Sequence, residues 1–117
     1  MESVFDLQKS NNQNEMIFVT CDRTGQIVWL EQGNALAGLD HMMRRGHDKD
    51  LTDAFGVSES EFVPLLYRVI REGKVIKNEL KTRNGHKGYE RIYEYNGRHV
   101  VLAAVGTNGF LITAYPR

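Results

Sequence analysis

Two Asn-Gly pairs, Asn96-Gly97 and Asn108-Gly109, each sit between apolar runs: YERIYEY and RHVVLAAV flank the first, RHVVLAAV and FLITAY the second. A two-residue type I′ turn needs positive φ at both central positions, and Asn-Gly tolerates this best. Strands at 89–95, 98–105 and 110–115 follow, joined as an antiparallel meander. KVIKNELKTR (74–83) adds a further strand, and NGHKG (84–88) reads as the loop after it.

Upstream, MIFVT, CDRTG and QIVWL form a hairpin at about 16–30, with Gly25 supplying positive φ in its turn. Asn34 is an expected N-cap for a helix whose Leu36, Leu39, Met42 and Met43 share a face and whose stop is Gly46. Residues 47–57 read as a loop with a helical turn. Ser58 and Glu61 form an S-x-x-E capping box, and Phe62, Leu65, Leu66, Val69 and Ile70 make a core-facing stripe. Gly73 ends this second helix. Residues 1–15 are polar and read as a linker or disordered start, leaving 16–117 as one domain. The expected class is α+β: an N-terminal hairpin and two helices packed on a twisted antiparallel β-meander.

At 117 residues and 41% hydrophobic, the chain can bury a core without cross-links. The single cysteine, Cys21, forms no internal bridge and fits a reducing compartment. No run is long enough for a membrane-spanning helix, and residues 1–15 lack the apolar segment of a signal peptide. No CxxC or HExxH spacing points to a metal, and no cofactor is expected. Net charge is zero but unevenly spread. Residues 1–66 hold eleven acids and five bases, whereas residues 67–117 hold four acids and ten bases. A basic surface is therefore compatible with a neutral protein.

Two-residue turns also predict register. Arg91 then opposes Leu102, Tyr93 opposes Val100, Tyr89 and Thr113 both oppose Ala104, and Tyr115 opposes Leu102. One face would carry Tyr89, Arg91, Tyr93, Val100, Leu102, Leu111, Thr113 and Tyr115. The other, with Ile92, Val101, Ala103, Val105, Phe110, Ile112 and Ala114, is the more aliphatic and is expected to meet the helices. The mixed face suits phosphate and base contacts: a guanidinium, hydroxyl donors and rings, with the small Ala104 leaving room above the sheet. His86 and His99 read as surface residues. His41 lies opposite Leu36, Leu39 and Met43 on the helical wheel, beside Ala37, Gly38 and Arg45. His47 follows two arginines. Imidazoles beside guanidiniums suit proton transfer at an anionic substrate.

The order GQIVWLEQG, GLDHMMRRGH, an amphipathic helix and a basic meander ending in NGFLITAYP resembles the ribonuclease superfamily that joins barnase, EndoU, the tRNA-cleaving colicins and RelE. More narrowly, it resembles the C-terminal toxin domains of contact-dependent growth inhibition proteins and other polymorphic toxins. The resemblance covers roughly 20–117. It implies a metal-independent endoribonuclease with no cofactor, cutting RNA (tRNA in many members) and leaving a 2′,3′-cyclic phosphate. DNA is not an expected partner. It implies neutralisation by a cognate immunity protein, delivery at the end of a larger secreted or cell-surface protein, and action in the target bacterial cytoplasm. By this resemblance the catalytic group would be His41 or His47, with Arg91 and Thr113. Tyr89, Tyr93, Tyr115, Lys74 and Lys77 would bind substrate. Two other readings fit the same composition: a non-catalytic module binding RNA or protein through the basic sheet, and a protein interface using the acidic half.

Overall fold

The computed structural model describes residues 15–83 and 85–117; the linker expected at 1–15 falls almost wholly outside them, as does Asn84 of the expected NGHKG loop. The chain runs β1 (Met16–Cys21), β2 (Ile27–Glu31), α1 (Leu39–Arg44), α2 (His47–Phe55), a 3₁₀ turn (Glu59–Glu61) and α3 (Phe62–Glu72). It continues through β3 (Lys74–Arg83), β4 (His86–Tyr95), β5 (Arg98–Gly106) and β6 (Leu111–Pro116). β1 and β2 form a hairpin, and the other strands form a second antiparallel sheet in the order β3-β4-β5-β6. The class is α+β, with helices packed on the meander.

α3 anchors the core. Phe62, Leu65, Leu66, Val69 and Ile70 are at most 4% exposed, each burial contributing about 1.5–3 kcal/mol before entropy is counted. They meet Tyr93, Val100, Leu102, Val105, Leu111 and Ala114 of the sheet. The predicted capping box does not form. The Ser58 hydroxyl bonds the Ser60 hydroxyl (2.9 Å), and the Ser58 carbonyl accepts the Glu61 N–H (2.9 Å), winding the 3₁₀ turn. Pro64 falls in the first turn of α3, where its missing donor costs little.

The first helix starts later than predicted. Asn34 Oδ1 accepts the Leu36 N–H (2.8 Å) and closes a local turn, so the helix begins only at Leu39. Gly38 donates its N–H to the Ile112 carbonyl (3.0 Å), which ties the start of α1 to the edge strand β6. Leu39 and Met42 face the core, while Leu36 is 81% exposed and Met43 is exposed too. Within residues 47–57, predicted as a loop with a helical turn, 47–55 form α2 between two left-handed glycines, Gly46 (φ 76°) and Gly56 (φ 69°). Leu51 buries fully, and the Phe55 ring meets Tyr95 at 5.9 Å.

The predicted register is right at the first turn and, beyond it, right only for Ala104 with Thr113. Asn96 (φ 51°) and Gly97 (φ 78°) make the type I′ geometry, and Tyr95 pairs with Arg98, Tyr93 with Val100, and Arg91 with Leu102. The second connection has three residues: Gly106 donates to the Phe110 carbonyl (2.8 Å), and Gly109 to the Gly106 carbonyl (2.9 Å). Bulges then shift the pairing. Ala104 still meets Thr113, but Tyr89 meets Val105, Leu102 meets Ala114, and Tyr115 meets Val101.

The predicted assignment of faces is reversed. Tyr93, Val100, Leu102 and Leu111 pack on the helices, and the bulges bring Val105 and Ala114 to the same core. Tyrosine and arginine can face inward here because their polar ends find partners, leaving rings and stems to pack.

Candidate functional site

The residues predicted to share a site fall into two groups. The first lies beneath the β1–β2 turn. Asp22 is 4% exposed. Its Oδ1 accepts the Thr24 N–H (2.9 Å), the Thr24 hydroxyl (2.5 Å) and the Gln26 N–H (3.1 Å), and its Oδ2 accepts the Tyr93 hydroxyl (2.9 Å). Burial works to raise the Asp22 pKa, but the donors from Thr24, Tyr93 and Gln26 outweigh it and hold the carboxyl below its usual range. Burial, then the Asp22 charge, pushes the Tyr93 hydroxyl well above the ordinary phenol range.

Arg91 belongs to the same knot. Its Nε donates to Asn78 Oδ1 (3.0 Å), one terminal nitrogen donates to Gln26 Oε1, and its guanidinium lies 4.9 Å from the Tyr89 ring centre. The other terminal nitrogen is enclosed without a partner among the described residues. Arg91 and Tyr89 border a cleft of ≈ 320 Å³ with the turns Gly25–Ile27 and Thr107–Gly109. The prediction for Tyr93 needs correction: it is fully buried and bonded to Asp22, so no base can stack on it. Arg91 is 3% exposed, and its bonds to Asn78 and Gln26 make it first a fastener between the hairpin and the sheet.

The second group lies where α1, α2 and β6 meet. The His41 and His47 rings are 6.3 Å apart, centre to centre, and His47 and Tyr115 are 5.5 Å apart. Gly46 ends α1 and starts α2 in the left-handed region, which folds His47 back toward His41. His41 Nδ1 lies 2.9 Å from the Ala35 carbonyl. A carbonyl only accepts, so Nδ1 carries hydrogen, and Nε2 is the nitrogen left to exchange a proton. His47 Nδ1 is buried with no partner among the described residues. Burial first, then the charges of His41 and Arg45, lower the His47 pKa against the opposing pull of Asp50 and Asp48. His47 is therefore neutral at pH 7, beside a second imidazole and a phenol.

Thr113 lies two residues before Tyr115, half-buried, with its hydroxyl enclosed and unbonded among the described residues. Lys74 and Lys77 lie on β3, the opposite edge of the sheet from β6. Lys77 holds Glu90 (2.9 Å) and Glu79 (3.3 Å), and Lys81 holds Glu90 (3.1 Å). Arg45 is a cation acting on His47 that the sequence reading did not assign to the site. Arg44 is held by Asp40 (2.8 Å), whereas Arg45 makes no ion pair among the described residues. The Arg-Arg-Gly-His run was its signal. Asp22, Gln26 and Asn78 carried no signal, because only tertiary pairing joins them to Arg91 and Tyr93. The chain matches no protein-family model and no curated protein.

Proposed function

We propose that the protein is an endoribonuclease that needs no metal, working through His41, His47 and Tyr115. The carrying observation is the pair of neighbouring imidazoles: His41 has its Nδ1 tied to a carbonyl, and His47 is kept neutral by burial. Two titratable groups in different environments suit an acid and a base. His47 takes the proton of the RNA 2′-OH. The 2′ oxygen bonds to phosphorus, and the bond from phosphorus to the 5′ oxygen breaks. His41 passes a proton from Nε2 to that leaving oxygen. The products are a 2′,3′-cyclic phosphate and a 5′-OH. Arg45 balances charge on the phosphoryl oxygens, with the Tyr115 and Thr113 hydroxyls as further donors.

This reading rests also on the motif order that resembles ribonuclease toxins. It carries with it tRNA as substrate, a cognate immunity protein, and delivery as part of a larger protein into a target bacterial cell. A module that merely binds through a basic sheet is less well supported, since Lys77 and Lys81 spend their charge on Glu79 and Glu90. The test is incubation with total RNA, with and without EDTA. Discrete tRNA fragments bearing 2′,3′-cyclic ends, unchanged by EDTA, are expected. Intact RNA that is nonetheless bound would replace this reading with the binding module.

A further inference from the structure

A hollow of ≈ 300 Å³ opens over the sheet between Lys81, Lys87, Tyr89, Ala103, Ala104 and Ile112. Three register shifts meet there. β4 and β5 lose step between Tyr89 and Arg91, and β5 and β6 lose step on both sides of Ala104. Bulges bend a strand and sharpen its twist, and here they fall at two alanines, so the bend is not refilled by side chains. Gly88 draws β4 close: a Cβ there would lie 3.0 Å from the Val105 carbonyl oxygen. The result is a small apolar floor. Lys87 at its rim is exposed and makes no ion pair among the described residues. Lys81 adds a second amine, shared with Glu90 (3.1 Å).

An apolar hollow with a cationic lip fits a flat ring that carries an anion. Its size is at the low end of the roughly 300–1,000 Å³ usual for small-molecule sites, so it takes one ring system rather than a larger ligand. Ile112 precedes Tyr115 by three residues on β6, about 10 Å at the rise of a strand. We propose that the hollow is a nucleobase subsite, with the lysine lip holding the adjoining phosphate, and that it selects the base flanking the bond cut at the histidines. The selection rests on the ribonuclease reading; the binding of a nucleotide here does not.

The test titrates AMP, GMP, CMP and UMP separately into the full chain and follows backbone amide shifts. It then repeats the titration with Ala103→Leu, which fills the floor, and Lys87→Glu, which reverses the lip. One nucleotide is expected to bind best, with shifts centred on Ala103 and Ala104. Its affinity is expected to fall at least about tenfold in either variant while the thermal midpoint holds. In Lys87→Glu the matching free nucleoside should keep its affinity. Equal binding of all four, shifts elsewhere, or unchanged affinity in a folded Ala103→Leu overturns the proposal; if that variant does not fold, Lys87→Glu decides. Nucleotide bound in the hollow with RNA left intact removes the catalytic reading and keeps the nucleotide site. RNA cut with the same base preference in Ala103→Leu does the reverse.

Discussion

The Asp22–Tyr93–Arg91 knot and the His41–His47–Tyr115 cluster use similar chemistry to opposite ends. Each combines titratable groups with aromatic rings at a junction between the sheet and another element. In the knot, Asp22 accepts four hydrogen bonds, Tyr93 is spent on Asp22, and Arg91 is held by Asn78 and Gln26, with one terminal nitrogen left unpaired among the described residues. In the cluster, among the described residues, only His41 Nδ1 has a hydrogen-bond partner, and His47 Nδ1 has none. Groups whose bonds close internally hold the fold, and groups without such bonds are where a site is to be sought. A list of reactive residue types cannot separate the two.

Substitutions can break this contrast. The largest effect is expected at the open cluster. His41→Ala should lower RNA cleavage by about 10²–10⁴-fold while leaving the melting temperature in place. A variant with full activity would remove His41 from the site. The closed knot should behave in the opposite way. Asp22→Ala strands the donors of Tyr93, Thr24 and Gln26, and should cost about 2–4 kcal/mol in urea unfolding. Cleavage per folded molecule should stay unchanged; a proportional loss would mean that the knot is part of the site. Because the folded Asp22 pKa is depressed, its contribution is present above the ordinary aspartate range and is lost as pH falls through the folded value. Asp22→Ala should flatten that acid limb.

Thr113→Val sharpens the boundary between the two regions. A transition-state donor should cost about tenfold or more in cleavage rate when lost, by analogy with oxyanion donors, whereas a packing residue should move only the melting temperature. The smallest effect concerns His47. Its pKa is lowered, so it stays neutral, and active as a base, somewhat below the ordinary histidine value; activity should fall as pH drops through that lowered value. Arg45→Gln removes one of the lowering charges and should shift the limb upward. A pH profile that stays put in this variant would separate Arg45 from His47.

Much of the fold was legible because it is local. Asn96-Gly97 dictated a turn of known hand, and the five apolar residues of α3 dictated a buried stripe. The pairing of Arg91, Tyr93 and Tyr95 across that turn followed directly. Legibility ended at Asn108-Gly109, where the connection took a third residue and the bulges around Ala104 redistributed the side chains. The same bulges created the hollow, so the feature that defeated the register reading made the pocket. On the histidines, spacing placed His41 on the first helix and His47 just after its stop. It left their mutual approach open, because that depends on the left-handed Gly46 between them.

By itself, then, the sequence determined the strands of the meander, the hairpin, α3 and their order, since turn chemistry and hydrophobic period act over a few residues. Only the tertiary structure decided which face of the meander is buried. A tyrosine or an arginine can go either way until a carboxylate such as Asp22 or an amide such as Gln26 arrives from a distant part of the chain to satisfy it. The closing strand shows both halves of this rule. Its existence at 111–116 was local, but the placement of Ala114 in the core and of Tyr115 against His47 was decided by bulges and by a helix some seventy residues earlier.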